Sequence, residues 1–280
     1  MNGVLIVDKP GGVTSHDVVD RARRLLGIRR IGHLGTLDPA ATGVLPLTVG
    51  KATRLARFIQ SSPKEYTGEI RLGWATTTCD LEGGQLGELR PVDVDPETVR
   101  DAMARLTGRI QQVPPAYSAK KVAGVRAHRL ARAGNPPELQ SASVEVIDFE
   151  LVAFDPPLIR FRVVCSAGTY VRSLARDLGE SLETGGHLFS LRRTRAGDFT
   201  IVQAVGIDAI SPERVIPSEE LMADLARIAV GPDLEERIRS GRAIPTECPD
   251  SPLRIFNKKG QLIAVASVER GWAHPRVVLL

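Results

Sequence analysis

Asp38 is the residue whose neighbours best equip it for chemistry. It lies in Gly32-His33-Leu34-Gly35-Thr36-Leu37-Asp38-Pro39-Ala40-Ala41-Thr42-Gly43-Val44-Leu45-Pro46. Three glycines and two prolines in this stretch rule out a plain helix or strand. The expectation is a structured loop that runs into the apolar residues Val44 to Val49 and holds a side chain in place. An ionised carboxylate there can attack a sugar or an electron-poor ring. A nearby guanidinium keeps such a group charged and steers it. Arg172, at the end of the turn-like Ser166-Ala167-Gly168-Thr169-Tyr170-Val171-Arg172, could meet it. Spacing alone does not favour chemistry: Asp38-Pro39 reads first as an ordinary turn, and Arg172 as a surface residue.

Other chemistries have no residues to support them. The chain has no G-x-S-x-G elbow, no H-E-x-x-H, no paired-cysteine zinc spacing and no dinucleotide fingerprint. Gly50-Lys51-Ala52-Thr53 has the look of a phosphate loop, but six residues separate Gly43 from Gly50, and Ala52 replaces the hydroxyl that would hold magnesium. Cys79, Cys165 and Cys248 are far apart and odd in number, as expected for unpaired thiols in a reducing compartment. Met1 to Asp8 is too short and polar-flanked for a signal peptide, and no apolar run approaches membrane-spanning length. The expected location is the cytoplasm.

The elements that must carry Asp38 follow from pattern. Val4 to Val7 predicts a strand, then a turn at Asp8-Lys9-Pro10-Gly11-Gly12. Thr14 or Ser15 caps a helix with Val18, Val19, Ala22, Leu25 and Leu26 on one face and Gly27 as its stop. Lys51 to Ile59 predicts a short helix. Tyr66, Gly68, Ile70 and Leu72 alternate with polar residues and predict a strand with one buried face. Residues 75–94 lean acidic and predict a loop, and Asp95-Pro96-Glu97 starts a helix that Gly108 ends. Residues 109–135 are basic and broken by Pro114-Pro115, so they predict a surface arm with a short helix from Arg126 to Ala133. Strands are predicted over Val144–Phe154 and Leu158–Cys165, with Asp155-Pro156-Pro157 as the turn between them, and over His187–Thr194, with a helix reaching about Leu182. Residues 206–227 read as short helices with proline breaks. Beyond Val230, Leu253–Phe256, Leu262–Val268 and Arg276–Leu280 read as strands of a small, mostly β second domain.

With 280 residues the chain is long enough for one large domain or two. Its formal net charge is only +4, but the charge is clustered. Residues 21–71 carry ten Lys or Arg against three acids, and residues 105–132 carry seven with no acid. Such clusters suit a polyanion, because neutralised phosphates release counterions; they also suit an ordinary solvated face.

Several ordered motifs resemble one family. Gly32-His33 to Pro46 is similar to the G-H-x-G-T-L-D-P-x-A-T-G-V-L-P signature of the tRNA pseudouridine synthase B family, and Val7-Asp8-Lys9-Pro10 with Gly12 to Ser15 resembles its first motif. Lys64-Glu65-Tyr66, Pro114 to Lys120, Cys165 to Leu174 and Leu188 to Arg193 resemble further motifs in the same order. The resemblance covers about residues 3–200. Leu34 departs from it, standing where the family usually has a small or hydroxylated residue. His128 also departs, standing where the arm commonly has an aromatic.

The resemblance implies an α+β fold: a central twisted, mainly antiparallel mixed sheet flanked by helices, plus a small C-terminal β-rich, PUA-like domain. It implies a catalytic domain over 1–224, with an RNA-clamping thumb at about 109–135, and an RNA-binding domain over 225–280. The activity implied is isomerisation of uridine 55 in the T-loop of tRNA, without guide RNA, cofactor or metal, by a monomer that needs no protein partner. Asp38 is then the nucleophile and Arg172 its paired cation. Tyr66 stacks on the base and is a candidate for proton removal, Tyr170 and Leu191 line the uracil pocket, and His33 contacts displaced nucleotides. A tRNA-binding chaperone, with isomerisation incidental, is the alternative that the basic arm suggests.

Overall fold

The computed structural model describes residues 1–59, 63–118, 120–122 and 124–280, without the side chains of Lys121 and His128. The departure at His128 therefore lies outside the described residues. The apolar run Val4 to Val7 forms the buried middle of β1 (Gly3–Lys9). α1 (Ser15–Leu26) starts with a reciprocal cap between Thr14 and Asp17 and ends on Gly27 in the left-handed region, φ 65°. It buries Val18, Val19 and Ala22. The glycine-rich stretch is more regular than expected. β2 (Ile31–His33) pairs antiparallel with β3 (Thr42–Val49), so only its middle is irregular. Two short helical turns follow, a 3-10 turn over Gly50–Leu55 and α2 (Ala56–Ile59).

β4 (Lys64–Leu72) buries Tyr66, Ile70 and Leu72, as its alternation predicts. The acidic segment is not all loop: β5 (Ala75–Thr76) and β6 (Gln85–Leu86) make a small hairpin. Asp95 caps α3 (Pro96–Arg105). The basic arm begins later than expected, because its first residues form β7 (Gly108–Gln112) against the sheet. Pro114 and Pro115 fall just beyond that strand, where their missing N–H groups break no ladder. The arm then makes the hairpin β8 (Lys121–Val122) and β9 (Val125–Arg126), followed by α4 (Ala127–Arg132). β10 (Ala142–Asp155) and β11 (Leu158–Cys165) pair across the predicted turn. α5 (Val171–Ser181) leads to β12 (Gly186–Ala196) and β13 (Phe199–Thr200).

Residues beyond 200 are more structured than their pattern suggests. β14 (Val205–Gly206) and β15 (Ile216–Pro217) flank 3-10 turns. β16 (Arg227–Val230), α6 (Pro232–Arg239) and β17 (Ile244–Pro245) were not predicted. β18 (Leu253–Asn257) and β19 (Leu262–Glu269) occur as predicted. β20 (Trp272–Val278) starts four residues before the predicted Arg276 and carries Pro275 within it. No helix among the described residues is long and apolar enough to cross a membrane.

The chain divides into two compact units. The first comprises Met1–Asp38, Leu45–Gln60 and Val202–Leu280. In it β1 lies between β14, which is parallel to it, and β3. A separate five-stranded sheet has the order β16-β18-β19-β20-β17 and packs a core of Ile238, Ile244, Leu253, Ile255 and Ile263. Arg54 and Arg57 donate to the carbonyls of Val278 and Arg276, both at 2.6 Å. The second unit comprises Pro39–Val44 and Ser61–Ile201. Its strands run from the start of β3 through β12, β4, β11 and β10 to β7, antiparallel except for β3 with β12. The fold class is the α+β one expected, a mixed, mainly antiparallel sheet with helices and a smaller β-rich sheet near the C-terminus.

Candidate active site

In the first unit, a series of short contacts leads to Asp38. Lys9 is fully buried, and its ammonium donates to the carbonyls of Pro10 and Val13 at 2.8 and 2.7 Å. These bonds shape the turn into α1. The Asp17 carboxylate accepts from the Thr14 hydroxyl at 2.7 Å and N–H at 2.8 Å, which holds its pKa below the usual range. The cap fixes Ser15 at the first helical position. The Ser15 hydroxyl then grips one residue from both ends: it accepts the Leu37 N–H at 2.9 Å and donates to the Leu37 carbonyl at 3.0 Å. Leu37 is itself buried. Asp38 follows directly and is half-buried. His33 lies on β2 opposite Leu47, and the Leu34 N–H donates to the Pro46 carbonyl at 2.8 Å. Leu34, the departure from the motif, is buried, so its larger side chain goes into the core.

The second unit holds the other four expected residues. Tyr66 is buried in β4, opposite Val163 of β11 and Arg193 of β12. Leu191 faces Gly68 in the same ladder. Residues directly opposite, and those two apart on a strand, share a sheet face. Tyr66 and Leu191 are therefore diagonal neighbours on one face. Arg193 is fully buried and donates from Nε to the Val44 carbonyl at 2.7 Å. Beside it, burial and then the Arg193 charge lower the pKa of Lys64, while burial pushes the Cys165 thiol up to about 11.

Gly43 is the tightest point of this join. It has φ +102°, and a Cβ there would lie 2.2 Å from the Arg193 carbonyl oxygen. Gly43→Ala is expected to cost at least about 1–3 kcal/mol, the scale of one residue forced into disfavoured backbone. A thermal melt checks this, and an unchanged midpoint would contradict the close approach.

α5 packs against β12 and carries Tyr170 at its start and Arg172 in its first turn. Arg172 is thus helical and buried, neither in a loop nor on the surface. Its guanidinium donates to the carbonyls of Thr78 at 3.2 Å and Tyr117 at 2.9 Å, and lies 3.4 Å from the Asp80 carboxylate. Asp80 also accepts from the Thr78 hydroxyl and, at 3.1 Å, from the Glu82 N–H. The turn is pinned to β12 by the Leu188 N–H, which donates to the Cys79 carbonyl at 3.0 Å. Burial raises the Cys79 thiol pKa against the opposing pull of Arg176 and Arg172. A desolvated guanidinium in this unit can hold or steer negative charge, and an aromatic side chain such as that of Tyr170, half-buried here, can stack on a planar ring.

Asp80 and Gln112 were not among the predicted site residues. Asp80 sits in an acidic loop whose other carboxylates give it no distinction, and nothing marks Gln112 beside Gln111. Their partners are tertiary.

The fold defines the class of protein. The structure matches 95% of its length to 78% of a chain in the crystal structure of a Cbf5-Nop10-Gar1 complex, with TM-score 0.71 and 26% identity. It matches an H/ACA RNP bound to a substrate RNA containing 2′-deoxyuridine with TM-score 0.72, covering 99% of this chain and 85% of that one at 23% identity. The family model described as TruB family pseudouridylate synthase (N terminal domain) matches residues 23–171, and the tRNA pseudouridylate synthase B C-terminal domain matches residues 172–221. The chain belongs to the TruB family of pseudouridylate synthases. It is 47% identical to a tRNA pseudouridine synthase B of Thermobifida fusca (strain YX), over 99% of this chain and 98% of the relative. It is 39% identical to that of Solibacter usitatus (strain Ellin6076), over the whole of both.

Proposed function

We propose that this chain isomerises uridine 55 in the T-loop of tRNA to pseudouridine, with Asp38 as nucleophile and with neither guide RNA nor cofactor. The observation that carries this reading is the end-to-end likeness to relatives named for tRNA pseudouridine synthesis. The two-sided grip of Ser15 on Leu37 supports the choice of Asp38, because a nucleophile needs a fixed backbone.

In this reading the target nucleotide leaves its stack and enters between Tyr66, Tyr170 and Leu191. Tyr66 stacks on the uracil, and His33 contacts the displaced nucleotides. Asp38 attacks, at C6 of the ring or C1′ of the ribose, with Arg172 as its paired cation. The N1–C1′ bond breaks, the uracil turns, a C5–C1′ bond forms, and the bond to Asp38 breaks to return the free carboxylate. C5 loses its proton, for which Tyr66 is the candidate acceptor, and N1 gains one, so the product is an isomer of the substrate. The exposed Arg126, Arg129 and Arg132 of the arm suit the phosphates of the T-arm. We assign catalysis to residues 1–224, additional RNA binding to residues 225–280, and the work to a cytoplasmic monomer.

The test uses the purified chain alone on an isolated T-arm hairpin carrying 5-tritiated uridine. Tritium release is the expected result. Release only after a guide RNA or partner proteins are added would overturn the guide-free reading.

A further inference from the structure

The start of α5 lacks the usual device for holding a helix end. Its cap residue is Tyr170, whose side chain makes no capping hydrogen bond. In a reciprocal cap, the side chain three residues on returns to the cap residue's N–H. That position is Ser173, and its hydroxyl donates instead to the Val113 carbonyl at 2.8 Å. Gln112 does the job from outside the helix. Its Oε1 accepts the Tyr170 N–H at 2.8 Å, and its Nε2 donates to the Tyr170 carbonyl at 3.1 Å.

Gln112 is the last residue of β7 and is 1% exposed. An amide so deeply buried is costly unless its polar ends are bonded, and both ends here meet the backbone of one residue. Tyr170 is half-buried, and its carbonyl also accepts the Ser173 and Leu174 N–H groups at 3.1 and 3.2 Å, so what the amide adds is the hold on its N–H. Tyr170 borders an open cavity of about 400 Å³, lined also by Gln112, Lys120, Ser143 and Gly168. Without the amide, the Tyr170 N–H loses this partner beside that open space.

We infer that Gln112 is a positioning residue for the uracil pocket: it sets the Tyr170 backbone, and through it the Tyr170 ring and the first turn that carries Arg172. This inference rests on the proposed function, because it assigns Tyr170 and Arg172 to the reacting nucleotide.

Two variants test it. Gln112→Leu keeps the bulk and removes both bonds. Gln112→Glu keeps the acceptor and regains the donor only when its carboxyl is protonated, which burial favours. Expected for Gln112→Leu is a tRNA Kd within about twofold of the parent and a single-turnover rate about tenfold to a hundredfold lower. Expected for Gln112→Glu is a rate that climbs toward the parent's as pH falls to about 5.5, measured as a ratio to the parent at each pH. A parental rate for Gln112→Leu, or a flat ratio for Gln112→Glu, overturns the inference. If Gln112→Leu does not fold, the pH ratio decides alone. A parent that makes no pseudouridine overturns the proposed function and the positioning role with it. Hydrogen exchange at the Tyr170 N–H, protected in the parent and open in Gln112→Leu, then still reports whether the clamp exists.

Discussion

Asp38→Asn is expected to abolish pseudouridine formation and to leave tRNA bound. The substitution keeps size but exchanges one acceptor oxygen for a donor NH2 and removes the charge and the nucleophilic oxygen. Loss of a covalent nucleophile lowers turnover by at least about 10⁴-fold. Binding of tRNA rests on phosphate neutralisation and base stacking, which Asp38 does not supply, so Kd is expected to stay within about twofold. Single-turnover assays and filter binding on one preparation read both. Pseudouridine made at the parental rate by Asp38→Asn would remove Asp38 from the chemistry. The same variant separates catalysis from a chaperone role: tRNA refolding that persists at full strength assigns that effect to binding.

Arg172→Leu is expected to have the second large effect, on stability and on rate. Arg172 is buried, and its guanidinium serves the Thr78 and Tyr117 carbonyls and the Asp80 carboxylate. Leucine leaves the two carbonyls without these donors and Asp80, itself mostly buried, without this cation. Breaking a buried ion pair from one side costs roughly 3–5 kcal/mol. Thermal unfolding of Arg172→Leu is expected to show that loss, and activity per folded molecule to fall about a hundredfold or more, as for removal of one charge-stabilising group. Adding Asp80→Asn separates the two effects. The double variant removes the uncompensated charge, so it regains stability but not activity. A double variant no more stable than Arg172→Leu would mean that the Asp80 contact contributes nothing.

The elements legible in the sequence are those specified locally. The Thr14 cap, the apolar face of α1 and the Gly27 stop lie within one short segment; the structure has the cap and the stop and buries Val18, Val19 and Ala22 of that face, while Leu25 at its end is exposed. The alternation of β4 and the break at Pro156-Pro157 are local in the same way. β7 and β20 were harder. β7 is a strand because β10 lies beside it, and its own sequence, with prolines close behind, looks like an arm. β20 runs through Pro275, which argues against a strand until its pairing with β19 is seen.

The candidate site divides in the same way. Asp38 stood out as a lone carboxylate among glycines, but its spacing described a turn first, and the resemblance to a family set its expected role. The groups that hold the site residues were invisible in the sequence. Ser15 reaches Leu37 across 22 positions, Gln112 reaches Tyr170 across 58, and Arg172 reaches Thr78 across 94. No periodicity records a contact of that range. Arg172 looked like a surface residue for the same reason, since its burial comes from segments distant in sequence.

The most direct measurement is nucleotide-resolved mapping of pseudouridine in an unmodified tRNA transcript incubated with the purified chain alone. Conversion at uridine 55 is expected, and none there with Asp38→Asn. Pseudouridine at another position with uridine 55 untouched, or none from the parent chain, would contradict it.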